Sequence, residues 1–141
     1  MKPAAKPHLP LVYACSGCSS VAQLANTCAV RLDREGLAEM SCISGVGGGV
    51  KSLVKLAQSG RDILALDGCA LACASACLSN AGVNADRHLV LNREGAKKYF
   101  HADASVEEVE QVWQVVQHAL RELVVGKNVG NPSENKTESP Q

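Results

Sequence analysis

Short apolar runs alternate along this chain with longer stretches whose apolar residues return at helical spacing. Residues 9–14, Leu-Pro-Leu-Val-Tyr-Ala, form a run suited to a buried strand. From Ser19 to Gly36 the positions Val21, Leu24, Ala25, Cys28 and Leu32 share one face of a helix, and Gly36 supplies its C-terminal stop. Residues 37–43 read as a second strand. The glycine run that follows predicts a flexible strand-to-helix turn, and Val50, Leu53, Val54 and Leu56 place a helix after it, ending at Gly60. Residues 61–68 hold a third strand, centred on Ile63 to Leu66. A helix over 69–81 ends at Gly82, and 87–92 is a fourth strand. The stretch 93–104 has no clear period. The last helix begins with a capping box, Ser105 with Glu108. Its stripe is Val106, Val109, Val112, Trp113, Val116, Leu120 and Leu123, and Gly126 is its expected stop.

Strand and helix alternate with short connections. That pattern predicts parallel strands, right-handed crossovers and helices on both faces of one sheet. The expected fold is a small three-layer Rossmann-like α/β domain with a mainly parallel four-stranded sheet. The domain should span 9–125, with a flexible arm at 1–8 and a polar, disordered tail at 126–141.

Composition narrows the function. Fourteen basic residues balance fourteen acidic ones, and the chain has one Phe, one Trp and two Tyr. A neutral surface with few stacking rings argues against a nucleic-acid partner. No apolar run of about 18 residues is present, so no membrane span is expected. The first ten residues are broken by proline and lack an apolar signal core, which points to the cytoplasm. A protein partner stays open, its identity unknown.

The seven cysteines change the picture most. Cytoplasmic thiols are kept reduced, and an odd number cannot pair fully, so metal binding or redox chemistry is favoured over disulfides. Cys15, Cys42 and Cys69 are separated by equal intervals of 27 residues. One strand–turn–helix unit has about that length, since a whole βαβ is about 30 residues. The three cysteines therefore fall at the same phase of three successive units. They should gather at the carboxyl edge of the sheet, where open α/β sheets build their sites. Any one cysteine could be packing alone, because cysteine behaves as a small hydrophobe; three at one edge, with Cys18 beside Cys15, favour a site. Cys15-Ser16-Gly17-Cys18 is a chelating turn at a helix start, a position that also favours thiolates. On a regular helix Cys69 and Cys73 are neighbours one turn apart, whereas Cys77 is about 12 Å from Cys69, too far to share one ion. Cys77 is then left to packing, a second site, a larger cluster or an unwound first helical turn.

The segments YACSGCSSVAQLAN, MSCISGVGGG and LDGCALACASACL, in that order over about 11–103, resemble the DGC-domain family of zinc-binding proteins, named for the triplet seen here as Asp67-Gly68-Cys69. The resemblance implies zinc binding through Cys15, Cys18, Cys42, Cys69, Cys73 and Cys77. Cys28 lies outside those motifs and on an apolar stripe, which fits core packing. The expected ligands are Cys15, Cys18 and Cys69, with Cys42 or Cys73 as the fourth. Four protein thiolates would make a closed, non-hydrolytic site, and no catalytic residue is assigned. Two other readings stand beside zinc. The cysteines could hold an iron–sulfur cluster, or pass disulfide or persulfide electrons with Cys15 as a low-pKa nucleophile and Cys18 resolving. A metal-shaped adaptor surface is a third.

The remaining candidates are weaker. Asp67 is expected to cap the helix after it, with a role behind a metal ligand as the alternative. Ser16, Ser19 and Ser20 are N-cap or sulfur hydrogen-bond candidates. His101 could complete a Cys₃His site but fits a loop surface better; His88 suits a strand edge, and His8 and His118 the surface.

Overall fold

The computed structural model describes residues 8–129, the last three by backbone alone, so most of the predicted arm and tail lies outside the described residues. The elements follow the predicted alternation: β1 (Leu11–Ala14), α1 (Ser20–Arg34), β2 (Glu39–Met40), α2 (Ile43–Gly47), α3 (Lys51–Ala57), β3 (Ile63–Asp67), α4 (Cys73–Asn80), β4 (Arg87–Val90), a 3-10 turn at Leu91–Arg93, and α5 (Val106–Val129). The four strands form one parallel sheet in the order β2-β1-β3-β4.

Alternation along β1 and β3 builds both cores. Val12, Ala14, Leu64 and Leu66 face the layer that holds α1 and α5, packing with Leu24, Cys28, Leu32, Val112, Trp113 and Val116. Leu11, Tyr13, Ile63 and Ala65 face the layer of α2, α3 and α4, with Val46, Ala57 and Leu78. Both central strands are buried on both faces, as parallel strands between helical layers must be. Each such aliphatic side chain contributes about 1.5–3 kcal/mol. The three-layer α/β reading is correct. Among the described residues no helix is long and apolar enough to cross a membrane.

Four local expectations change. The glycine run is not a flexible turn: Gly45 and Gly47 lie inside α2, and Gly48 and Gly49 link it to α3. Small residues are needed there because a Cβ on Gly45 would collide with the Leu53 side chain. The helix expected over 69–81 starts only at Cys73. Residues before it form a turn in which Ala72 takes a left-handed conformation, φ 53°. Gly126 does not stop α5, which runs on to Val129; an internal glycine costs a helix about 1 kcal/mol, too little to end a long one. Val106 is 80% exposed and lies off the apolar stripe. The Ser105–Glu108 capping box forms in both directions, each hydrogen bond 3.1 Å long.

Candidate functional site

In a parallel sheet ordered β2-β1-β3-β4, the chain leaves β1 toward one flank and β3 toward the other. The loops after β1 and β3 therefore face each other across a crevice at the carboxyl edge. The Cys15 N–H donates to the Leu66 carbonyl at 3.0 Å and carries the β1–β3 ladder one residue further. Cys15 is thus fixed beside the Asp67-Gly68-Cys69 turn.

Each residue of that triplet has a separate task. The Asp67 carboxylate is fully buried. Its Oδ1 accepts the Ala74 N–H at 2.7 Å, and its Oδ2 accepts the Ser75 N–H at 3.1 Å and lies 2.8 Å from His88 Nε2. Asp67 thereby satisfies the open N-terminus of α4 from across the turn, which Ala72, the residue at the cap position, cannot do. Gly68 allows the turn to touch α1: a Cβ there would lie 2.6 Å from the Val21 carbonyl carbon and 2.7 Å from the Ala22 nitrogen. The Gly68 N–H also donates to Cys15 Sγ at 3.2 Å. Cys69 then turns into the crevice.

The crevice is a cavity of about 320 Å³ bordered by Cys15 and Cys18 from one loop and Cys69 and Cys73 from the other. Its rim carries Leu71, Lys98 and Phe100. Lys98 and Phe100 belong to the stretch for which no period was legible. That stretch is a strap across the start of α1. The Ser20 N–H donates to the Tyr99 carbonyl at 2.9 Å, Ser20 Oγ accepts the Tyr99 N–H at 2.8 Å and donates to the Lys97 carbonyl at 3.2 Å, and Ser19 bridges to Phe100. Lys98 Nζ consequently sits 3.4 Å from Cys69 Sγ and 5.3 Å from the centre of the Phe100 ring.

Burial dominates the electrostatics of Cys15. It pushes the thiol up to about 11, against the pull of the Gly68 N–H, and Asp67, Cys73 and Cys69 add to the rise. Cys15 is buried, whereas Cys18 at the other end of the same turn is exposed.

A family model for the DGC domain matches residues 11–116. The chain belongs to the DGC-domain family. A relative from Pseudomonas aeruginosa, named anaerobic and virulence modulator AnvM, is 54% identical over 112 residues, which is 79% of this chain and 86% of the relative. No solved structure matches the chain.

Within this DGC domain the six motif cysteines do not share one place. Cys15, Cys18, Cys69 and Cys73 border the same cavity. Cys42 stands at the carboxyl edge too, but beyond β1. It caps α2, its Sγ accepting the Gly45 N–H at 3.4 Å, and it lines a separate cavity of about 620 Å³ with Asn26, Asp33 and Arg34. Ser16 borders both cavities. Cys77 packs toward α2, where a Cβ on Gly47 would meet its sulfur at 2.7 Å. The first turn expected of the helix that carries Cys77 is indeed unwound, since α4 begins only at Cys73. Cys28 is buried in the core, and its thiol is likewise pushed up to about 11 by burial.

Among the described residues no three Cys, His, Asp or Glu side chains already converge as a group that could hold an ion. His101 is exposed, with φ 63°, and does not border the cavity; His118 pairs with Glu122 on the surface. Ser19 caps α1, its Oγ accepting the Ala22 N–H at 3.2 Å, and Ser20 holds the strap rather than a sulfur. The sequence does not single out Lys98 or Phe100; His88 stands on the edge strand β4, as its position suggests, and there meets Asp67. Parallel register sets His88 against Ala65, one pleat from Asp67, a contact no sequence signal marks. Lys98 and Phe100 gave no signal, because the strap has neither helical nor strand period.

Proposed function

We propose that this DGC protein binds a metal ion, zinc by the chemistry of its donor set, through Cys15, Cys18, Cys69 and Cys73. The observation that carries the reading is that four thiols, two from the loop after β1, one from the turn after β3 and one from the start of α4, border one cavity at the switch point of the sheet. Sulfur-only donors suit zinc and other soft ions. A four-thiolate site leaves zinc no open position, so the metal would join the loops after β1 and β3 rather than activate water. Because the four thiols are not pre-assembled, binding would include a local closure of those loops. The turn before Ala72 is the natural place for it. Loading would also release protons, above all from Cys15, whose thiol is held protonated by burial.

Cys42 is the residue this reading removes from the expected ligand set, since it faces a different cavity. The name of the relative, a modulator of anaerobic and virulence behaviour, supports a regulatory role over a catalytic one. A metal–thiolate centre that joins two loops is suited to that role in a compartment that keeps thiols reduced, such as the cytoplasm.

The test is purification without oxygen, followed by metal analysis and a visible spectrum. A colourless protein with stoichiometric zinc is expected. A brown protein with iron and sulfide would establish the iron–sulfur alternative instead, and a metal-free protein with fast-reacting thiols would establish dithiol chemistry.

A further inference from the structure

We propose that Lys98 is a positioning residue of the cysteine cavity, placed to balance the negative charge that thiolate ligands bring. The inference rests on the metal-binding reading above and goes beyond it, since Lys98 lies outside every cysteine motif.

Four thiolates around a divalent ion leave a net charge of −2, and here they would do so within a cavity rimmed by Leu71 and Phe100. An anionic centre attracts a cation held within a few ångströms of it. The Lys98 ammonium is already in place, donating to Cys69 Sγ at 3.4 Å. Two features hold it there. The Phe100 ring face lies 5.3 Å from Nζ, within the range of a cation–π contact. The backbone on both sides of Lys98 is tied to α1, through the Lys97 carbonyl and through both the N–H and the carbonyl of Tyr99. All three ties end on Ser20, which is 2% exposed. A lysine free on the surface needs no such strap. The chain from Ser20 to Lys97 and Tyr99, then Lys98, then Cys69 is a physical link between the start of α1 and the thiol cluster.

The experiment is a cobalt(II) titration of the reduced full-length protein, following thiolate-to-cobalt charge-transfer absorption, for wild type, Lys98→Met, Lys98→Arg, Ser20→Ala and the Ser20→Ala/Lys98→Met pair. Lys98→Met should weaken cobalt binding by about tenfold to a hundredfold, the range for residues that support metal ligands. It should leave the unfolding temperature of the metal-free protein unchanged, because Lys98 holds no element of the core. Lys98→Arg keeps the charge and should recover most of the loss. Ser20→Ala should lose less than Lys98→Met, and the pair should be no weaker than Lys98→Met alone, because Ser20 acts through Lys98. Cobalt affinity of Lys98→Met equal to wild type, or Lys98→Arg as weak as Lys98→Met, overturns this inference and leaves the metal site standing. Absence of the charge-transfer band in wild type overturns both.

Discussion

Cys15 and Cys42 stand at nearly the same height just past the ends of neighbouring strands, for β1 pairs in register with β2 from Leu11 opposite Glu39. Cys15 looks into the crevice shared with β3, while Cys42 looks into a cavity on the far side of β1. The sequence interval that joins them to Cys69 sets height along the strands. It says nothing about lateral order. Because β1 lies between β2 and β3, the loop after β1 meets the loop after β3, and the loop after β2 is left on its own flank. The two flanks are also built differently. The crevice is backed by a buried carboxylate and a glycine pressed on backbone, whereas the β2 flank rests on a two-residue strand and exposed polar groups.

The largest test of that contrast is ligand removal. Cys15→Ser or Cys69→Ser should abolish stoichiometric zinc in protein purified without oxygen, and Cys42→Ser should retain it. Loss of zinc from Cys42→Ser would erase the distinction between the flanks.

Next in size is the cost of a methyl group. Gly68→Ala presses a Cβ against the backbone of Val21 and Ala22, which cannot rotate away, so a loss of about 3 kcal/mol in denaturant unfolding is expected. Gly47→Ala meets only the Cys77 side chain, whose sulfur is able to shift, and alanine also favours the helix; its net cost should be under about 1 kcal/mol. Equal costs would show that the turn after β3 is looser than its contacts imply.

The smallest effect concerns the β2 flank. Asp33 Oδ1 accepts the Met40 N–H at 2.9 Å, and this bond, aided by Arg34, holds the carboxyl below its ordinary 3.8. A lowered folded-state value means that the contribution is complete above the ordinary value and is lost as pH falls through the lower folded one. Asp33→Asn should therefore be slightly less stable than wild type at neutral pH, and the gap between the two unfolding midpoints should shrink as pH falls below about 4. A gap that persists in acid would assign the effect to something other than this carboxylate.

Much of this molecule is legible in its sequence because period and burial coincide. The doubly buried runs at Leu11–Ala14 and Ile63–Leu66 are strands in a three-layer sheet, and the stripe from Val21 to Leu32 faces the core as its spacing predicts. Cys28, Cys15 and the Asp67 cap were readable for the same reason. What failed had a non-local cause. Helix α4 starts late because Asp67 reaches across the turn to Ala74 and Ser75, and so the helical spacing of Cys69 and Cys73 does not apply. The glycine run is helical because packing against Leu53 and Cys77 requires small residues. The strap carrying Lys98 is ordered by Ser20, far away in sequence, so no local pattern marks it.

X-ray absorption at the metal edge of the zinc-loaded protein reads out whether one ion is held by the four thiols of the β1–β3 crevice. A shell of four sulfur atoms at about 2.3 Å is expected, lost or reduced by Cys73→Ser and unchanged by Cys42→Ser. A shell that includes nitrogen or oxygen in the wild type, or one that loses a sulfur when Cys42 is replaced, would contradict it.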